Sequence, residues 1–195
     1  MSEAALASTI VVRSTEEVRL YESHDVLVAI PNPYLLAKME RTDILQLLIA
    51  NPTEGADKLR HLARHIAADM QKAMEAGAAG ILYVLGGASP QGSTPMEYGG
   101  HFLELDRQIL SEAPLGCFRI LFVAGGEGTY FDFVSDLPAE VFAWDAAKTG
   151  VSSQEVRQMR QGPQASSDPG SEMDLPTDTL DVVSYLESQS IATTL

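Results

Sequence analysis

The sequence predicts an α/β protein built on a parallel sheet with helices packed over it, and three observations carry that prediction. Four short apolar runs, residues 26–30, 81–85, 118–123 and 141–144, read as strands apolar on both faces. Amphipathic helical stretches separate the first three, and a shorter one precedes the fourth. Strands of this kind belong to a sheet that helices cover. Finally, the strand ends carry Pro31-Asn32-Pro33, Gly86-Gly87-Ala88-Ser89 and Gly125-Gly126-Glu127-Gly128, and such folds build their sites at the carboxyl ends of strands.

Each element follows from its local pattern. Residues 1–24 carry little signal beyond a short strand at 9–12 and a helical turn opened by Ser14-Thr15-Glu16-Glu17. After strand 26–30, Pro31 and Pro33 stop sheet pairing because proline has no N–H to donate. Residues 34–40 and 43–50 then read as two short helices, the second ended by Asn51-Pro52. From 54 to 76, Leu59, Leu62, Ala63, Ile66, Met70, Ala73 and Met74 recur with the period of a one-sided helix, and Gly77 is placed to stop it.

Strand 81–85 leads into a Gly/Ser/Pro loop. Thr94 caps a helix that starts at Pro95 and runs to about 112, where Pro114-Leu115-Gly116 breaks it. Strand 118–123 is followed by the glycine turn and a helix over 129–135. Strand 141–144 ends at Trp144-Asp145, and Ser152 and Ser153 cap a helix to about 160. Within 161–176 only a short strand at 165–167 is readable. Thr177 then caps a last helix to about 189 with Leu180, Val183 and Leu186 on one face.

The chain has 195 residues, 45% of them apolar and 21% charged, which suits one globular domain with a real core. It divides into an extension over 1–24, βα units over 25–160 and an acidic segment over 161–195. No apolar run nears the roughly 20 residues that span a bilayer, and the N-terminus has no signal-peptide pattern. One cysteine, Cys117, excludes an internal disulfide and fits the cytoplasm; preceding an apolar strand, it reads as a buried, inert thiol. A net charge of −14 argues against nucleic acid and anionic membranes as partners. No Lys or Arg follows Arg160, so the C-terminal segment is a solvated acidic surface or a docking surface for a basic partner.

Candidate chemistry is sparse. His61 and His65 have the i,i+4 spacing of a metal pair but lie opposite the apolar stripe, so they face solvent, and no metal site is expected. Gly125 to Thr129 links a strand to a helix and could seat a small anion, or be a tight turn that needs glycine. It completes neither a dinucleotide fingerprint nor a Walker loop. Ser89 and Ser93 have no partnering base, and His101 reads as a packing residue within its helix. No cofactor is implied.

Five segments, in order, carry a family resemblance: Ile30-Pro-Asn-Pro-Tyr-Leu-Leu-Ala-Lys38; Glu75-Ala-Gly-Ala-Ala-Gly-Ile-Leu82; Met96-Glu-Tyr98 through Leu105-Asp-Arg107; Phe118-Arg-Ile-Leu-Phe-Val-Ala-Gly125; and Val141-Phe-Ala-Trp144-Asp with Thr149-Gly150. Together they make the chain resemble the uroporphyrinogen decarboxylase family and its corrinoid-linked methyltransferase relatives. The resemblance implies a (β/α)8 barrel with its site at the C-terminal ends of the strands. It also implies a partial barrel, about strands 3–8, in which the segments bearing the porphyrinogen-binding arginine and aspartate have no counterpart.

Residue by residue, the family's functional groups are replaced. Met39 stands for a tyrosine, with Tyr34 nearby, and Gly86 stands for a serine. Phe122 stands for a histidine, Ala124 for a zinc-binding cysteine, and Ser171 loosely for a late histidine or cysteine. Glycine, phenylalanine and alanine supply neither acid–base help nor charge stabilisation. The expectation is therefore a decarboxylase-like protein impaired on its own and acting as a binding or assembly subunit. The alternatives are a tetrapyrrole decarboxylase or corrinoid methyltransferase completed by a partner chain, and a small-anion binding protein. Catalytic residues stay unassigned. The residues placed at a ligand site, for a small anion or a tetrapyrrole, are Asn32, Tyr34, Gly86, Ser89, Gly125, Gly126, Trp144 and Asp145. A partial barrel leaves two edge strands, which implies self-association, a complementary chain, or coverage by residues 1–24 and the tail.

Overall fold

A computed structural model of the chain describes Leu6 and residues 8–21, 23–168 and 171–191. Among these, six strands form one sheet: β1 (Ile10–Val12), β2 (Val26–Pro31), β3 (Gly80–Leu85), β4 (Phe118–Val123), β5 (Val141–Trp144) and β6 (Gln164–Ser166). Every neighbouring pair is parallel and the order across the sheet is the order in sequence. The sheet curls into a half-barrel of (β/α)8 type with helices outside it. Parallel neighbours need crossovers, and these supply the outer layer. They are α1 (Pro33–Met39), α2 (Ile44–Ala50), α3 (Pro52–Glu75), α4 (Pro95–His101), α5 (Leu103–Ser111), α6 (Phe131–Val134), α7 (Ala146–Thr149) and α8 (Ser153–Met159). The chain ends its described part in α9 (Thr179–Ile191). No described helix is long and apolar enough to cross a membrane.

Thr94 and Ser152 act as the expected caps, each forming a full capping box, with Glu97 and Glu155 respectively. The structure adds three caps that the sequence reading had not named: Asn32, Asp43 and Asn51 each accept an N-terminal helix amide through the side chain. Leu59, Leu62, Ile66, Met70 and Ala73 are the buried stripe of α3, and Gly77 follows it at φ +93°, where a side chain would be strained. Both His61 and His65 are exposed on the opposite face. Cys117 is buried, and loss of solvation pushes its thiol up to about 11.

Three expected helices are corrected. The helix from 95 to 112 is broken at Phe102, whose φ of −113° departs from helical values just after the poor helix formers Gly99 and Gly100. Its interruption leaves His101 exposed at the end of α4 instead of packed. The helix over 129–135 shrinks to α6, because Thr129 stays in the glycine turn. Thr177 does not cap the last helix, since its backbone pairs with a strand: Thr177 N–H bonds the Thr9 carbonyl at 3.0 Å and its own carbonyl accepts from Val11 at 3.2 Å.

That pairing alters the two edges. Thr177 makes a parallel bridge to Ile10 of β1, and Met173 makes one to Ala165 of β6. One five-residue stretch, 173–177, therefore joins the first strand of the curl to the last.

Candidate functional site

All strand ends lie on one side, so the loops after β2, β3, β4 and β5 gather there. Alternation along each strand decides which side chains can reach that mouth. Tyr83 points outward, because its hydroxyl meets Asp106 on α5. Tyr83 pairs with Leu121, so Phe122 and Ala124 of the next strand point inward. Phe122 pairs in turn with Ala143, which turns Phe142 and Trp144 outward. Trp144 is fully buried there among Phe131 and Phe142, and its indole N–H donates to the Val151 carbonyl at 2.9 Å. It is part of the outer core and not of the mouth.

Asn32 clips two strand ends together. Its side-chain oxygen accepts from Leu35 N at 3.1 Å and Gly86 N at 3.2 Å, and its amide donates to the Gly86 carbonyl at 3.1 Å and to Asp106 Oδ2 at 3.3 Å. Both Asn32 and Gly86 are thereby spent on structure. Asp106 is fully buried and also accepts from the hydroxyls of Tyr83 and Tyr98, each at 2.7 Å. Burial pushes the Asp106 carboxyl up to about 6, against the pull of those three donors, and the two phenols are held well above their ordinary range, mainly by burial. This network escaped the sequence reading. The signal was present: Asp106 sits on the same helical face as Phe102, Ile109 and Leu110, where a carboxylate must find donors.

The loop after β3 is braced by two phenols. Tyr34 donates to the Gly92 carbonyl and Tyr130 to the Ser93 carbonyl, both at 2.9 Å. Gly87 lies at φ +91°, and a Cβ on it would come within 2.7 Å of the Tyr34 ring. Ser89 is buried in this loop, its carbonyl accepting from Gly92 and Ser93. Gly125 and Gly126 form a tight turn on Thr129, whose hydroxyl donates to the Gly126 carbonyl at 2.7 Å. The amides of Thr129, Tyr130 and Phe131 are given to carbonyls of Gly126, Ala88 and Thr129, so these are not offered to an anion. Asp145 caps α7 through Ala147 and Lys148 and accepts from the Ser167 hydroxyl at 2.8 Å, tying the ends of β5 and β6.

Over this mouth lies α9. Leu180, Val183, Ser184 and Glu187 face Phe122 to Gly125, Asp145 and Lys148, leaving a space of about 40 Å³, little more than one water molecule fills. Glu187 closes that side with an ion pair to Lys148 at 2.6 Å. On the other side Leu186 approaches β2 and the turn after β1, and Arg13 lies over the Tyr185 ring at 4.4 Å. Val182, Val183 and Leu186 are buried as a result. At about 1.5 Å per residue, a helix of this length is about 20 Å long and reaches across the opening. Among the described residues no cluster of three or more His, Cys, Asp or Glu is arranged to hold a metal ion.

No known family profile matches this chain, and no curated protein does. Its fold is shared with a methyltransferase from Methanosarcina mazei, at a TM-score of 0.67 over 90% of this chain with 11% identity. The chain spans 60% of that protein's length. A structure described as a phosphonomutase from Burkholderia cenocepacia J2315 aligns over 96% of this chain and 93% of its own, with 10% identity and a TM-score of 0.41.

Proposed function

We propose that the chain is a uroporphyrinogen decarboxylase-like barrel that works as a binding or assembly subunit and not as a decarboxylase or methyl transferase in its own right. The observation behind this reading is α9 lying across the mouth, held by Val183, Leu186 and the Lys148–Glu187 pair. The space left between α9 and the ends of β4 and β5, about 40 Å³, is too small for a tetrapyrrole. The inward residues at the neighbouring strand end, Phe122 and Ala124, carry no group that moves a proton or binds a metal. The ordered segments quoted above support the family assignment, and the shared methyltransferase fold agrees with it.

The test is direct. The 195-residue chain is incubated with uroporphyrinogen, and separately with zinc and methylcobalamin plus a thiol acceptor. No product above the protein-free control is expected in either case. Turnover of either substrate by the isolated chain overturns the proposal. Light scattering after size exclusion tests assembly: a defined oligomer is expected, and a stable monomer without affinity for other chains removes that half of the reading.

A further inference from the structure

Apart from the space under α9, a cavity of about 380 Å³ lies between α1, the turn that follows it and the loop after β3. Its walls carry Tyr34, Lys38, Arg41 and Thr42, and Ile44 and Leu45 give it an apolar side. Two features of that wall need a reason.

The first is charge. In a chain of net −14, seven of the 13 lysines and arginines are ion-paired with Asp or Glu. Lys38 and Arg41 are not, among the described residues. The acid standing between them in sequence, Glu40, is drawn off to Lys58 on α3. Asp43 also lines the cavity, but one of its oxygens accepts from Gln46 N as the cap of α2. Lys38 instead lies 5.4 Å over the Tyr34 ring, facing the same cavity.

The second is backbone. Arg41 has φ +59°, just past the end of α1, where its amide bonds the Lys38 carbonyl and Thr42 bonds that of Ala37. This helix ending normally uses glycine, which is unstrained there. Strain kept at the rim of a cavity is grounds for asking what the side chain does.

We propose that this pocket binds a small oxyanion, a phosphate monoester or carboxylate, carried on a compact apolar body. The Arg41 fork and the Lys38 ammonium hold the oxyanion, with the Thr42 hydroxyl as a further donor, and the body lies against Ile44 and Leu45. A volume of this size suits a ligand of about ten heavy atoms. The proposal rests on the reading of this chain as a binding protein, yet it concerns a separate cavity, so turnover at the mouth and binding here fail independently.

Phenyl phosphate and benzoate, titrated into the 195-residue chain by calorimetry, test it and separate the two oxyanion classes. Binding of at least one is expected, weakened ten-fold or more by Lys38→Met and by Arg41→Gly. Arg41→Gly is also expected to raise the thermal midpoint, so its loss of affinity cannot come from unfolding. Arg64→Gln, on the exposed face of α3, is expected to leave affinity unchanged. The proposal is overturned if neither anion binds at millimolar concentration, if both substitutions leave affinity intact, or if Arg64→Gln weakens it equally.

Discussion

Asp106 takes part in a network that cannot be satisfied in both of its protonation states equally well. Its carboxyl is pushed up to about 6 by burial, against an ordinary aspartate value of about 3.9. The folded protein therefore holds this proton more tightly than the unfolded chain does. The stabilisation is full below about pH 4, falls as pH rises through the interval to about 6, and is gone above it. Two pKa units correspond to about 3 kcal/mol. Urea midpoints measured between pH 4 and 7 should show that decline, and Asp106→Asn should flatten it. An unchanged slope in the variant would assign the effect to another group. Arg41 shows how strain and charge separate at one position. Glycine there should add about 1 kcal/mol of stability by relieving the left-handed backbone, read as a higher urea midpoint.

At the scale of elements, α9 is held by burial more than by charge. Leu186 is buried, and Leu186→Ala should cost about 2–4 kcal/mol in urea unfolding. The Lys148–Glu187 pair is partly solvated, so Lys148→Ala should cost less than about 1 kcal/mol. The reverse ranking would mean that the helix is clasped electrostatically. The helix itself was legible, because Val183 and Leu186 recur at helical spacing and both are buried. Its place was not. An apolar stripe says that a helix face is covered but not by what, and nothing local to 179–191 specifies the ends of β4 and β5. Trp144 shows the same limit in a strand. Residues 141–144 are apolar throughout, so the sequence lacks the alternation that would say which side is inward. Only the pairing of Phe122 with Ala143 decides it. Asn32 was read as a ligand-site residue, and its clip onto Gly86, which spans 54 positions, leaves no local trace in the sequence.

For the whole molecule, the order of βα units in a parallel sheet follows from signals that sequence carries well, strand composition and helix period, whereas the curl of the sheet was expected only through the family resemblance. What joins the two ends of the curl has no such signal, since 173–177 is a stretch without periodicity that holds its place through two single bridges. Thr177→Pro removes the amide that bonds Thr9 and should expose the β1 edge. The expected outcome is growing light scattering on mild warming, at temperatures where the parent protein stays clear. A variant as clear as the parent would show that this contact does not guard the edge.

The seam also sets an order of events during synthesis. β1 is made before its outer hydrogen-bonding partner, because Thr177 follows only after β2 to β6 have all been synthesised. The Val11 amide therefore lacks its acceptor until Thr177 has been made. In hydrogen-exchange pulses on nascent or refolding chains, that amide should become shielded after those at the centre of β3 and β4.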